Sequence, residues 1–222
     1  MKMMLIKKLV VVALVASFGL GMNAGTWSPK ASAAEATTLK QGTQNGDVWD
    51  AQFRLKTLGI YEPSIDGKYG PITAAAVRNF QTNYGLSVDG IVGAKTWEYL
   101  RKFTVNQAEL DMLAKVIYSE ARGESYEGQV AVGAVVMNRL KSSQFENTIQ
   151  GIVFESGAFT AVSDGQYNLT PDSQAYKAAL EAVRGWDPTG GALYYFNPKT
   201  ATSSWIWTRQ QTLQIGNHIF AK

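Results

Sequence analysis

The sequence predicts a mainly α protein of two modules: a small three-helix unit, then a larger helical domain with a small β element near its C-terminus. Three observations carry that prediction. Apolar residues recur at helical spacing through Leu110–Glu124 and Glu127–Lys141. A nine-residue pattern in the first half returns after 23 residues. The last stretch, Thr212–Phe220, alternates apolar and polar side chains as a strand does. Hydrophobic and charged fractions of 45% and 18% are those of a folded chain and exclude a disordered one.

Residues 1–33 read as a secretory signal peptide. Lys2, Lys7 and Lys8 precede an apolar run, Leu9–Leu20, that is short for a membrane span, and Ala31-Ser32-Ala33 supplies a small-x-small cleavage pattern. The alternative is an uncleaved anchor. Removing the leader takes Lys30 with it and turns 21 basic against 18 acidic residues into 17 against 18. The formal charge of +3 is therefore a property of the leader, and no nucleic-acid partner is expected.

A polar linker, residues 34–45, leads to the first module at residues 46–103. Val48, Phe53, Leu55 and Leu58 mark its first helix, Ala74–Tyr84 its second and Thr96–Arg101 its third. The repeat pairs Ile65-Asp66-Gly67-Lys68-Tyr69-Gly70-Pro71-Ile72-Thr73 with Val88-Asp89-Gly90-Ile91-Val92-Gly93-Ala94-Lys95-Thr96. Each copy is a tight turn feeding a helix. Glycine takes the positive φ, aspartate bonds back to the turn, and threonine falls near the helix start. The module carries no catalytic constellation.

The second module, residues 104–222, begins with Thr104 or Asn106 as a helix cap. In LDMLAKVIYSEARGE, Leu113, Val116, Ile117 and Glu120 fall at i, i+3, i+4 and i+7, so Glu120 shares the stripe that faces the core. A carboxylate among apolar side chains is costly to keep ionised, which makes it a candidate proton donor. The plainer reading is a glutamate that caps or pairs at a helix end. Glu124 lies one turn on, with Gly123 between them as a stop signal. Glu127–Lys141 is apolar almost all round and reads as the central buried helix. Asn138 and Arg139 at its end serve either a site or the helix-end carbonyls.

Ile149–Phe154 is a short helix or strand. Glu155–Asn168, with Phe159, Ser163 and Tyr167, is a shaped surface loop, and Pro171-Asp172 opens a helix through Arg184. Tyr194, Tyr195 and Asn197 beside Pro198 suit a sugar-binding cleft, whereas Trp205 and Trp207 fit core or cleft equally.

What the chain lacks narrows its chemistry. With no cysteine there is neither a disulfide nor a thiol nucleophile. A single histidine, His218, argues against a zinc hydrolase or a Ser-His-Asp triad, so no metal or cofactor is expected. Carboxylate chemistry remains.

Two resemblances add to this reading. The twin Asp-Gly-x-x-Gly turns with Phe80-Gln81 resemble the peptidoglycan-binding domain appended to many cell-wall hydrolases. Tyr118-Ser119-Glu120-Ala121-Arg122-Gly123-Glu124, Gly128–Gly133 and Tyr195–Ala201 resemble the SleB/CwlJ-type cell-wall hydrolases, and the order of parts resembles the SleB-type spore cortex-lytic enzymes. That resemblance implies a lysozyme-like catalytic domain. It also implies lytic transglycosylation of cortex peptidoglycan containing muramic-δ-lactam, with Glu120 as the catalytic glutamate. Glu124, Phe159, Ser163, Tyr194, Tyr195 and Asn197 are then the candidate substrate contacts. Hydrolytic cleavage, with Glu124, Glu127 or Asp164 as second carboxylate, and a non-catalytic peptidoglycan-binding protein stay open. The resemblance further suggests a membrane-associated partner of the YpeB type and action at the cortex or the outer face of the inner spore membrane. Two departures stand out: Glu146 and Ser156 occupy positions where the family has proline.

Overall fold

The structure, a computed structural model, describes residues 37–222; the predicted leader lies outside the described residues. Three helices build the first module: α1 (Gly46–Thr57), α2 (Pro71–Asn83) and α3 (Ala94–Phe103). Asn45 caps α1, its Oδ1 accepting from the Val48 amide at 3.0 Å, and Pro71 begins α2 where no amide hydrogen is needed. The repeated turns have the predicted chemistry. Gly67 and Gly90 sit at φ 69° and 72°, and Asp66 and Asp89 accept from the amides two residues on, at 2.9 and 2.8 Å.

A buried glutamine locks each turn from inside. Gln52 accepts from the Gly67 amide at 2.9 Å and donates to Asp66, while Gln81 accepts from Gly90 at 2.9 Å and donates to Asp89. Residues 37–45 are not a free linker. Leu39 is wholly buried and bridges Val92, Gln44 bridges Lys68, and the Thr37 carbonyl accepts from the Trp97 indole at 2.8 Å. Burying one leucine is worth about 1.5–3 kcal/mol, enough to hold a short polar segment in place.

The second module centres on α4 (Gln107–Ala121), α5 (Tyr126–Lys141) and α8 (Ser173–Val183). A reciprocal box starts α4: Asn106 Oδ1 accepts from the Glu109 amide at 2.8 Å and Glu109 Oε2 from the Asn106 amide at 2.7 Å. Ser125 and Asp172 cap α5 and α8. Gly133 brings the three helices close, since a methyl group there would sit 2.9 Å from Ile117 Cδ1 and 3.0 Å from Ala182 Cβ. Helix α4 ends three residues before Glu124.

Between α5 and α8 lie α6 (Ile149–Val153) and α7 (Thr160–Ser163). The predicted surface loop thus contains a short helix, followed by a 3-10 turn at Gln166–Asn168. Strands β1 (Tyr194–Phe196), β2 (Gln211–Ile215) and β3 (His218–Ala221) form an antiparallel sheet in the order β1-β3-β2. The alternating run is therefore a hairpin and not one strand. Its turn is Gly216-Asn217, with Gly216 at φ 56°. Trp205-Ile206-Trp207 falls in a helical turn, α9 (Ser204–Trp207).

Polar contacts, buried at Arg54, tie the modules together. Arg54, 2% exposed, pairs with Asp50 at 3.1 Å and with Glu109 at 3.0 Å, and donates to the Thr104 carbonyl at 3.2 Å. Arg184 donates to the Thr57 carbonyl at 3.1 Å, and Phe53 packs against the core of the second module.

Candidate active site

Glu120 lies in the last turn of α4, where the apolar stripe runs out of core. The side chain is half-buried and faces a cleft of about 760 Å³ between the α7 segment and the sheet. Two donors hold it. Oε1 accepts from the Ala161 amide at 2.9 Å, one of the amides left free at the start of α7. Oε2 accepts from the Tyr195 hydroxyl at 3.1 Å. The helix places the carboxylate, and the strand and the short helix aim it.

Tyr195 comes from β1, its ring against those of His218 (5.1 Å) and Phe220 (6.0 Å). Burial, reinforced by the charge of Glu120, pushes its hydroxyl well above the ordinary tyrosine range. The hydroxyl is thus a permanent donor to Glu120. His218, 8% exposed, lines the cleft at the start of β3. Burial lowers its pKa against the pull of the Glu124 and Glu120 charges, so the imidazole is neutral at neutral pH. Its Nδ1 is buried without a hydrogen-bond partner among the described residues.

Arg139 forms part of the wall. Its guanidinium lies over the rings of Phe145, Phe159 and Tyr194 at 5.0, 5.2 and 5.7 Å, and Nε donates to the Leu193 carbonyl at 2.8 Å. Its neighbour Asn138 turns the other way and donates to Asp187 and the Ala192 carbonyl. Trp205, 48% exposed, completes one wall, edge-on to Tyr194 at 5.1 Å and backed by Arg209 at 4.4 Å. Of the two tryptophans it is the one that lines the cleft.

The structure gathers four of the seven predicted site residues in this cleft: Glu120, Tyr194, Tyr195 and Asn197. Asn197 also shapes its turn, its Oδ1 accepting from the Lys199 amide at 2.9 Å. The other three lie elsewhere. Glu124 spends its carboxylate on the hairpin, accepting from Asn217 Nδ2 at 2.9 Å and the Asn217 amide at 3.1 Å. Phe159 is core, 3% exposed beneath Arg139. Ser163 is exposed at the end of α7 and bonds back to the Thr160 carbonyl.

Phe145 and His218 also line the cleft, as does Arg139, for which the sequence leaves a site role and the helix-end carbonyls both open. A Gly-Asn pair inside the alternating run is a hairpin signal that would have placed His218 at a strand start. An arginine closing an otherwise apolar helix was the signal for Arg139. Of the two positions that depart from the family's proline, Ser156 lines the cleft, and the Glu146 side chain packs on Gly151.

Comparison with known proteins agrees with this architecture. A cell wall hydrolase family model matches residues 123–221, and a peptidoglycan binding domain model matches residues 44–100. A spore cortex-lytic enzyme of Bacillus cereus is 42% identical over 96% of this chain and 97% of its own length. One from Oceanobacillus iheyensis is 40% identical over 89% and 91%. Among solved structures, the catalytic domain of the Bacillus cereus SleB protein is 59% identical, with a TM-score of 0.51 over 53% of this chain and 91% of that one. The catalytic domain of a germination-specific lytic transglycosylase, SleB of Bacillus anthracis, matches with the same identity and TM-score over 53% and 97%. The resemblance read in the Ser-Glu-Ala-Arg segment and the twin turns therefore holds along nearly the whole chain, which belongs to the SleB-type spore cortex-lytic enzyme family.

Proposed function

We propose that this protein cleaves the glycan strands of spore cortex peptidoglycan during germination as a lytic transglycosylase, with Glu120 as acid and then base. One observation carries the assignment: Glu120 is a half-buried carboxylate held at both oxygens, by Ala161 and Tyr195, and open to a cleft with aromatic walls. In the first step the Glu120 carboxyl gives its proton to the glycosidic oxygen as the C1–O bond breaks. The resulting carboxylate then takes the proton of the muramoyl 6-hydroxyl as that oxygen bonds to C1 and closes a 1,6-anhydro ring. No water is consumed. Tyr195 steadies the carboxylate in the charged state that both steps pass through.

Tyr194 and Trp205 offer ring faces and edges to the pyranose units, and Asn197 offers an amide. The muramic-δ-lactam of cortex is the expected substrate feature, and the first module retains the enzyme on peptidoglycan. Export through the residue 1–33 leader rests on its sequence pattern, and action near the inner spore membrane and a YpeB-type partner rest on the family resemblance. Among the described residues no helix is long and apolar enough to cross a membrane.

Mass spectrometry of digested cortex tests the reaction. Muropeptides with anhydro-muramic ends are expected; products carrying only reducing ends refute transglycosylation. Glu120→Gln should lower cleavage by at least about 100-fold, the low end of what a positioned proton donor contributes. Wild-type activity in that variant would remove the assignment.

A further inference from the structure

The guanidinium of Arg139 is built into the cleft wall in a way that folding alone does not explain. Arg139 is 5% exposed, and Nη1 is buried with no hydrogen-bond partner among the described residues. A buried donor of this kind is costly unless something occupies it. No carboxylate lies within ion-pair distance among the described residues, so the charge is offset by the three rings it covers and, at longer range, by Glu155. Nε is fixed by the Leu193 carbonyl, which sets the plane of the fork, and the side chain lines the cleft.

We propose that Arg139 is a substrate contact of this site, and that the unpartnered end of its guanidinium donates to an uncharged carbonyl oxygen on an acyl substituent of the bound glycan. This rests on the glycan-cleaving reading above. A carbonyl fits better than a carboxylate for two reasons. The rings and the nearby Glu155 charge already offset the cation, so what is missing is an acceptor and not a counter-charge. The cleft also holds Glu120 and Glu155, which repel an anionic group. Two carbonyls have this chemistry: the acetamido group of an N-acetylated sugar and the lactam of a modified muramic residue.

The test uses the full mature chain on cortex glycan with and without lactam. Arg139→Ala is expected to raise KM by about 10- to 100-fold, the range of a charge-assisted hydrogen bond, with kcat within a few-fold. Added guanidinium ion should restore most of the lost kcat/KM, a recovery that a merely misfolded variant would not show. Loss on both glycans assigns the acetamido carbonyl, and loss confined to lactam glycan assigns the lactam. Arg139→Lys keeps the charge and the packed stem but not the planar fork, and should show the same direction of effect in a folded protein. Should the alanine variant fail to fold, the lysine variant decides. A wild-type KM in a folded variant overturns the proposal, as does a loss in Arg139→Ala that guanidinium leaves unchanged. Glu120→Gln run alongside separates the two readings. If it cuts glycan at the wild-type rate the catalytic assignment fails, whereas an unchanged KM at Arg139 removes this contact alone.

Discussion

Replacing Tyr195 by phenylalanine removes one hydroxyl and leaves the ring among Phe159, His218 and Phe220, at centroid distances of 6.5, 5.1 and 6.0 Å. The only hydrogen bond that hydroxyl makes within the described residues is the 3.1 Å contact to Glu120 Oε2. Because the hydroxyl stays protonated, the bond is a neutral donor to a charge that grows as Glu120 surrenders its proton. Hydrogen bonds to charged groups contribute about 1.5–3 kcal/mol, and each ~1.4 kcal/mol is tenfold in rate. Tyr195→Phe should therefore lower kcat by about 10- to 150-fold. KM should hold, since the bond strengthens in the transition state and not on binding. The Ala161 amide still anchors Oε1, so Glu120 keeps its place and some activity survives. Stability should fall by less than ~1.5 kcal/mol, a few degrees in Tm. Steady-state release of reducing or anhydro ends from a soluble cortex fragment, with a thermal melt, measures both. A kcat within twofold of wild type would refute the reasoning, as would a loss carried wholly by KM.

Glu124 gives a pH prediction. Burial alone would raise its carboxyl, but the side-chain and backbone donors of Asn217 outweigh that and hold it below its ordinary value of 4.5. A depressed folded-state pKa contributes stability that is present above the ordinary range and lost as pH falls through the folded value. The stability gap between wild type and Glu124→Gln should accordingly be full at neutral pH and close below about pH 4.5; urea titrations that show a constant gap refute the link. In the first module, Gln81→Leu leaves the Gly90 amide without its buried acceptor and Asp89 without its side-chain donor. At about 1–3 kcal/mol for each orphan, the denaturation midpoint should drop while the denaturant slope is unchanged, and Gln52→Leu should behave alike.

Much of this was legible because it is local. The Glu120 stripe, the Asp-Gly turns and the central apolar helix all follow from neighbours within one or two turns. Long-range contacts were not legible. Tyr195 meets Glu120 across 75 residues and Asn217 meets Glu124 across 93, and no periodicity reports such pairs. Glu124 shows the limit plainly. One turn beyond Glu120 it looked like a second site carboxylate, yet the helix ends at Ala121 and the hairpin turn claims its side chain. The polar composition of residues 34–45 hides one leucine for a related reason: Leu39 and the bridge to Val92 are long-range contacts that pin the segment to the module.

The disposition of acids bears on how the glycan is cut. Hydrolysis needs a second carboxylate, roughly 5–5.5 Å from the first for retention or 6.5–9.5 Å for inversion. Of the three sequence candidates, Glu124 is bound to Asn217, Glu127 is exposed in the first turn of α5, and Asp164 accepts from Gln166 on the surface. None of them lines the cleft. Glu155 does, but it is exposed on the loop ahead of α7 and enters no ion pair among the described residues. A rim carboxylate of this kind lacks the two-donor anchoring of Glu120, and orientation is what general-base catalysis requires. An internal hydroxyl removes the need for it. The 6-oxygen is carried on the same sugar as C1, so its effective concentration is supplied by the substrate, and one well-held carboxylate can serve both proton transfers.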